Sequence, residues 1–225
     1  MTDNGPRLVL LGKQGAGKGT QAQRIADHYG IVHLSTGDLF RQQAAAGTEF
    51  GVEARRYMDS GELVPDDIVI GIVRESLAPG GLLSGGWVLD GFPRTLQQAE
   101  ALDGAVDDDR PVDLAVNIEV PHEIVLDRLA GRRVCEVCGR IYHVNMPPRE
   151  NWTCDDDGGA VTQRPDDTER AIDRRLQIYD TETLPIVRFY ATRGHLEVVD
   201  GVGTGDEVFG RIVRAVDERL ASTAR

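Results

Sequence analysis

The chain of 225 residues has little lysine: only two of its 25 basic residues are lysines, Lys13 and Lys18, and the others are arginines. Its 37 acidic residues leave a net charge of −12. Because the overall field repels polyanions, this excess of acid disfavours a dedicated binder of nucleic acid or of anionic membranes. Cysteine is also scarce, and an odd number of three does not suit a disulfide framework.

Long apolar runs are missing as well. No stretch approaches the length needed to cross a bilayer, and the first residues lack the basic and apolar regions of a secretory signal. We therefore expect a cytosolic protein whose cysteines stay reduced. The length suits one large domain or a core with inserted subdomains. No amphipathic stretch is left without a role in the core, which favours a monomer.

Five short apolar segments alternate with helical patterns along the chain. This alternation predicts an α/β fold, a doubly wound parallel sheet of five strands with helices on both faces. Ligands bind such sheets beyond the carboxyl ends of the strands, where Gly- and Asp-rich turns follow four of the five segments. The predicted strands are 7–11, 31–34, 87–89, 114–120 and 196–199.

Turn and cap residues mark the predicted helix boundaries. The residues that favour a helix start or a helix end are Gly30, Ser35, Pro65 and Pro121. The acidic run 107–109 is typical of a solvated loop. Residues 131–167 break the alternation, are rich in Gly, Pro and Asp, and hold all three cysteines. We predict an insertion there, because an unstructured loop of that length is unusual.

A glycine-rich loop follows the first predicted strand. Residues 12–20 read Gly-Lys-Gln-Gly-Ala-Gly-Lys-Gly-Thr, which is a P-loop spacing up to Lys18. Its backbone N–H groups would surround phosphate oxygens, and Lys18 would neutralise the β and γ oxygens. The hydroxyl usual directly after the lysine is displaced to Thr20, with Gly19 in its place. A tight turn with incidental glycines is the alternative, which the position between a strand and a helix disfavours.

Asp90 stands at the end of the third predicted strand. An acidic residue there holds Mg²⁺ and its waters in P-loop proteins. Aspartates at strand ends are often only turn formers, but the P-loop favours the magnesium role.

The cysteines form a metal-binding pattern. Cys135 and Cys138 are a Cys-x-x-Cys pair, and Cys154 with Asp157 repeats the same spacing with a carboxylate. Zinc accepts such a set, and four protein ligands would make the site structural. His143 is a rival fourth ligand. A redox Cys-x-x-Cys or three unrelated buried thiols are further alternatives.

Three segments together resemble the adenylate kinase family: Lys18-Gly19-Thr20-Gln21, Ser35 to Arg41, and Asp90 to Thr95. The similarity continues through 131–133 and 164–167, so it covers nearly the whole chain. The combination is highly specific for nucleoside monophosphate kinases, and the long insertion is similar to the lid of bacterial members with zinc. The resemblance implies reversible transfer of phosphate from Mg-ATP to AMP, giving two ADP. Two residues depart from the family pattern: Gln14, where the family most often has proline, and Lys13 beside it, which is also not the commonest choice.

The resemblance also implies site residues. The implied ATP contacts are Gly15, Ala16, Gly17, Lys18, Gly19, Thr20, Arg128, Arg132, Ile141, Tyr142 and Gly203. The implied AMP contacts are Thr36, Arg41, Glu62, Leu63, Val64, Gly91, Phe92, Pro93, Arg94, Gln98, Arg164 and Arg175. The groups implied in catalysis are Lys18, Arg94, Arg132, Arg164 and Arg175. Adenylate kinases with zinc-bearing lids use three cysteines and an aspartate in this arrangement. The resemblance therefore implies Cys135, Cys138, Cys154 and Asp157 as zinc ligands.

The resemblance further implies three units. Segments 1–34, 65–130 and 168–225 would form the core, 35–64 a helical flap over AMP, and 131–167 a lid over ATP. Any single arginine could instead be a solvated surface residue, and Arg128 could pair with Glu123 or Asp127.

Two other functions are weighed. A kinase for a different nucleoside monophosphate or a small alcohol is one, although the arginine-rich acceptor motifs favour a phosphorylated acceptor. A nucleotide sensor or zinc-ribbon nucleic-acid module is the other, and the acidic run 155–157 disfavours it.

Overall fold

The computed structural model of the chain describes residues 5–78, 81, 83, 85–106 and 111–223. The predicted solvated loop at 107–109 lies outside these residues. The strands are β1 Arg7–Leu11, β2 Val32–Ser35, β3 Trp87–Asp90, β4 Leu114–Glu119, β5 Arg132–Cys135, β6 Ile141–His143, β7 Val161–Thr162 and β8 Leu196–Asp200. The helices are α1 Lys18–Tyr29, α2 Thr36–Ala45, α3 Glu49–Ser60, α4 Asp66–Leu77, α5 Leu96–Asp103, α6 His122–Ala130, α7 Glu169–Ile178, α8 Leu184–Thr192 and α9 Gly205–Thr223.

The central sheet has five parallel strands in the order β2-β3-β1-β4-β8. All five predicted strands are present. The second begins and ends one residue later than predicted, because Ser35 still pairs with Asp90 of β3. The predicted doubly wound α/β class is confirmed.

Strand β1 separates the two halves of the core. Val9 and Leu11 point to one side, where they join Trp87, and Leu8 and Leu10 point to the other. All five side chains are almost fully buried. Because successive strand residues face opposite sides, an unbroken apolar strand requires helices on both faces of the sheet.

Polar side chains cap the N-termini of α2, α3 and α7. The Ser35 hydroxyl accepts from the Asp38 N–H at 3.2 Å, as the predicted N-cap requires, and Thr48 caps α3 in the same way. Thr168 caps α7. A π-helical turn at Tyr179–Thr183 then joins α7 to α8. The Thr183 hydroxyl in that turn donates to the Arg94 carbonyl at 3.0 Å, which ties this turn to the loop after β3.

Residues 131–167 form a small structure of their own. Strands β6, β5 and β7 make an antiparallel sheet in that order. Cys135, Tyr142, Cys154 and Val161 form a buried cluster in this segment. No helix among the described residues is long and apolar enough to cross a membrane.

Helices α2 and α3 pack closely at Gly51. A Cβ atom at Gly51 would lie 2.2 Å from the backbone carbon of Gln43. We predict that Gly51→Ala lowers the free energy of unfolding by about 1–2 kcal/mol, since overpacking outweighs the better helix propensity of alanine.

Gly71→Ala is the matched control, because Gly71 is also helical and its Cβ would meet open space. It should stabilise the protein by about 0.5–1 kcal/mol. Urea unfolding of both variants measures the two effects, and equal shifts would contradict the packing argument.

Candidate active site

A cleft of about 1750 Å³ opens beyond the carboxyl ends of β1 and β3. This is the edge at which open parallel sheets bind ligands. The loop after β1, the loop after β3, helix α2 and the segment 131–167 all contribute to its walls. Every predicted ATP contact lines it, and so does every predicted AMP contact except Phe92. Phe92 is 1% exposed and its side chain packs in the core, so the prediction of a side-chain contact at Phe92 is not supported.

The glycine-rich loop turns sharply before α1. Gly12, Gly15 and Gly17 have positive φ angles of 136°, 83° and 99°, which glycine adopts without strain. Helix α1 starts at Lys18 and so presents its positive end to the loop. The Lys18 ammonium donates to the carbonyls of Gly12 at 2.7 Å and Lys13 at 3.0 Å. The loop and the ammonium thus form an anion-binding concavity.

Asp90 lies directly beside the start of α1. A Cβ atom at Gly19 would come within 3.3 Å of the Asp90 carboxylate, a tighter approach than most side chains make. Glycine at this position therefore leaves room for the carboxylate next to Lys18.

Burial and mutual repulsion act on the cations of the cleft. Burial lowers the pKa of Lys18 to about 8; Asp90 opposes this shift, and the charges of Arg94 and Arg132 add to it. Burial likewise lowers the pKa of Arg164 to about 10, with help from the charges of Arg41 and Arg132. The side chains therefore stand close enough to disfavour one another's charge. The structure therefore brings the predicted cations Lys18, Arg41, Arg94, Arg132 and Arg164 together in the cleft.

Carboxylates hold these arginines in place. Asp167 accepts two hydrogen bonds from Arg132, at 2.7 and 2.5 Å, and Asp166 accepts one from Arg175. Asp38 accepts from Arg41 at 2.5 Å. Asp166 and Asp167 are 5% and 2% exposed. Burial would raise the pKa of Asp166, but the charge and hydrogen bond of Arg175 hold it below its usual value.

Sequence reasoning assigned no role to Asp166 and Asp167. They stand two and three positions after Arg164 in a segment that was singled out only for its resemblance. The one available signal was that an acidic pair so close to a candidate catalytic arginine must be either exposed or paired.

The loop after β3 and helix α2 form the second end of the cleft. The Thr36 hydroxyl and the Arg94 Nε–H both donate to the Gly91 carbonyl at 2.9 Å. The Gln98 side-chain oxygen accepts from the Arg94 backbone N–H at 2.7 Å. Glu62 is partly exposed and pairs with Arg174 at 2.8 Å, which links the end of α3 to α7.

Arg128 contacts backbone carbonyls. Its guanidinium donates to Gly15 and Ala16, both at 3.4 Å, and to Gly201 at 3.2 Å. The ion pairs among the described residues do not include the alternative of Arg128 with Glu123 or Asp127.

The four predicted metal ligands come together in 131–167. One ligand atom from each of Cys135, Cys138, Cys154 and Asp157 lies within 4.8 Å of all the others. The Cys138 and Cys154 sulfurs are 3.6 Å apart, too far for a disulfide and close to the roughly 3.8 Å edge of a zinc–sulfur tetrahedron. His143, the rival ligand, lies outside the cluster and contacts the Asp127 carbonyl at 3.2 Å.

Positive charge that converges on a phosphate-binding loop from opposite walls of one cleft suits the handling of two polyanions at once. The fold and the cleft therefore define a P-loop enzyme of the phosphoryl-transfer class. A sequence model of the family described as "Adenylate kinase" matches residues 10–195. The chain belongs to the adenylate kinase family and is a phosphotransferase.

Individual relatives agree with the family match. An adenylate kinase of Thermodesulfovibrio yellowstonii is 46% identical over 95% of this chain and 100% of its own. One of Clostridium perfringens is 46% identical over 92% of this chain and 97% of its own. One of Bacillus subtilis is 46% identical over 91% of this chain and 95% of its own.

We predict that Lys18 titrates near pH 8 in the nucleotide-free protein, because its burial lowers the pKa to about 8. The chain has only two lysines, so ¹³C-lysine NMR gives two side-chain signals, which Lys13→Arg assigns. Saturating ATP should move the Lys18 midpoint upward, since phosphate charge favours the ammonium form. A Lys18 signal that titrates only above pH 10 without nucleotide would contradict the burial argument.

Proposed function

We propose that this cleft transfers the γ-phosphoryl group of ATP to AMP, reversibly, to give two ADP. The observation that carries the proposal is the convergence of Lys18, Arg94 and Arg132 in one cleft, where burial lowers the pKa of Lys18 and the charges of Arg94 and Arg132 add to this shift. The glycine-rich loop is the ATP side, and the end formed by the loop after β3 and α2 is the AMP side.

On the ATP side, the backbone from Gly15 to Thr20 surrounds the phosphates. Lys18 exchanges its two carbonyl contacts for β and γ oxygens, whose negative charge raises its pKa toward the ordinary value. Arg128 covers the adenine, and Arg132 reaches the phosphates from the lid. Further contacts come from the backbones of Ile141, Tyr142 and Gly203. Support comes from the position of all these residues on the wall of one cleft.

On the AMP side, Arg41 and Arg94 bind the phosphate and Gln98 reads the base. Thr36, Glu62, Leu63, Val64, Gly91, Phe92 and Pro93 complete this subsite. Arg164 and Arg175 reach the transferring group from the side opposite Lys18. The attacking group is already a phosphate anion, so the reaction needs alignment and charge neutralisation and no general base.

Orientation by buried carboxylates is the proposed way in which two arginines are made ready for the substrates. Arg132 and Arg175 are preset by Asp167 and Asp166, which fix the planes of the guanidinium groups before any phosphate arrives. Asp167 occupies Nε and Nη2 of Arg132, so the Nη1 hydrogens of Arg132 stay available to phosphate. Arg175 also donates to the carbonyls of Asp166 and Met58, both at 3.0 Å. Ordering the arginines in advance lowers the entropy cost of aligning two polyanions.

Asp90 fits a magnesium role. Its carboxylate lines the cleft beside Lys18 and Gly19, and oxygen ligands are the ones that Mg²⁺ prefers. Adenylate kinases use Mg²⁺ with ATP; the ion supplies neutralisation of the β and γ oxygens. Asp90 would hold its waters.

Two segments are proposed to close over the substrates, 35–64 over AMP and 131–167 over ATP, on a core made of 1–34, 65–130 and 168–225. Both segments line the cleft, through Arg41 and Leu63 in the first and Arg132 and Ile141 in the second. Closure would exclude water, which otherwise competes with AMP for the phosphoryl group.

Chromatography of nucleotides tests the reaction. Protein with Mg-ATP and one of AMP, GMP, CMP or UMP should form ADP with AMP only. Lys18→Ala should lower the rate at least about a hundredfold, because a charge-neutralising contact to the transferring group is lost. Lys13→Ala is the matched control, since Lys13 contributes only its carbonyl to the Lys18 contact, and it should retain most activity. Turnover of GMP, CMP or UMP in place of AMP would favour the alternative of another nucleoside monophosphate kinase.

A structural zinc ion in the lid is a further part of the proposal. Three thiolates and one carboxylate suit zinc, and a site closed by four protein ligands stabilises a fold without taking part in chemistry. The set links the end of β5, the central strand of the small lid sheet, to the loop before β7. Thiolate ligands also fit a reducing compartment such as the cytosol.

The protein is further proposed to act as a monomer, because the residues that line the cleft all come from one chain.

Metal analysis tests the zinc site. The purified protein should hold one zinc per chain, and Cys138→Ser or Asp157→Asn should lower both the zinc content and the thermal stability of the lid. Asp156→Asn is the matched control, because this neighbouring carboxylate is exposed and pairs with Arg140 instead. Full zinc retention in Asp157→Asn would reject Asp157 as a ligand. Nucleotide binding at the phosphate loop should persist in all three variants.

A further inference from the structure

Behind Gln98 lies a hydrogen-bond network that the proposed reaction does not use. Gln98 is 2% exposed, yet it lines the cleft. Its Nε2 atom donates to Asp66 Oδ1 at 2.7 Å, and its Oε1 atom accepts from the Arg94 backbone N–H at 2.7 Å. Asp66 is not among the described residues that line the cleft, so it acts on a ligand only through Gln98.

The two partners of Gln98 fix the orientation of its amide, with Nε2 toward Asp66 and Oε1 toward the Arg94 N–H. A carboxylate only accepts hydrogen bonds, and a backbone N–H only donates. Turning the amide by 180° would set Oε1 against the Asp66 carboxylate and Nε2 against the Arg94 N–H. Both contacts would then be unpaired and buried, which is costly. The amide therefore has one stable orientation.

Asp66 is itself held in place. Its second oxygen, Oδ2, accepts from the Thr95 hydroxyl at 2.6 Å. That hydroxyl in turn accepts from the Gln98 backbone N–H at 3.2 Å, where it caps α5. Thr95 thereby ties the first turn of α4 to the first turn of α5, and the Asp66 carboxylate cannot rotate away from Gln98 without breaking this contact.

We propose that Asp66 is the positioning residue that makes the acceptor site selective for an adenine base, by fixing the amide orientation of Gln98. One N–H of Nε2 and one lone pair of Oε1 remain free after the contacts to Asp66 and Arg94. Adenine presents a donor at N6 beside an acceptor at N1, which matches this free pair. A 6-oxopurine presents an acceptor at O6 beside a donor at N1, which matches only the reversed amide. The inference rests on the proposed AMP site.

Inosine monophosphate is the sharpest probe, because it differs from AMP only in these two groups. The measurement is the ratio of kcat/KM for AMP to kcat/KM for inosine monophosphate. Asp66→Asn should lower this ratio about tenfold or more, since an asparagine can also donate to a reversed Gln98. Asp66→Ala should lower it less, because the Arg94 N–H still holds Oε1.

Asp67→Asn is the matched control. Asp67 lies in the same first turn of α4, so its substitution removes the same charge from the same helix end, but the residue is exposed. The ratio for Asp67→Asn should equal that of the unmutated protein. A merely structural role for Asp66 would lower the turnover of both acceptors in parallel and leave the ratio unchanged, which overturns the inference. If Asp66→Asn does not fold, Asp66→Ala decides by the same ratio.

The outcomes separate the inference from the function on which it rests. An unchanged ratio with AMP turnover intact overturns the role of Asp66 alone. An unmutated protein that phosphorylates neither acceptor overturns the proposed function, and the role of Asp66 with it.

Discussion

Repulsion among the buried cations of one cleft is the constraint to which the surrounding structure responds. Lys18, Arg94 and Arg164 are each less easily charged than in water, because burial and their neighbours act together. The fold balances them with carboxylates that are themselves buried, above all Asp166 and Asp167. A buried ion pair adds little to stability, so this arrangement is explained better by a polyanionic ligand than by folding alone.

The same constraint explains why distant parts of the chain meet here. Lys18 follows β1, Arg94 follows β3, Arg132 begins the inserted sheet, and Arg175 lies on α7. The parallel sheet fixes the first two at one edge, whereas the others depend on how the insertion and α7 pack above that edge. The π-helical turn after α7 adds a contact of its own, from Thr183 to the Arg94 carbonyl. Each cation thus has a different structural support.

Patterns of residues close together in the sequence made much of the fold and of the site predictable. The apolar run before the glycine-rich loop, the cap at Ser35 and the Cys-x-x-Cys pair are signals within a few residues, and each has its predicted structure. Gln98 was predicted through the family resemblance, but its contact with Asp66 gave no such signal, because the two residues are 32 positions apart and only the packing of α4 against α5 joins them. The ion pair of Arg132 with Asp167 spans 35 positions and was missed for the same reason.

The scarcity of lysine and cysteine has a practical consequence for attaching this protein to a surface or a dye. Both lysines lie in the glycine-rich loop, and an amine with a pKa of about 8, like Lys18, is roughly one-tenth unprotonated at neutral pH. All three cysteines belong to the cluster in 131–167. Coupling through lysine amines would therefore modify the cleft, and coupling through thiols would modify this cluster. A tether that leaves both regions intact needs an attachment point other than these five side chains.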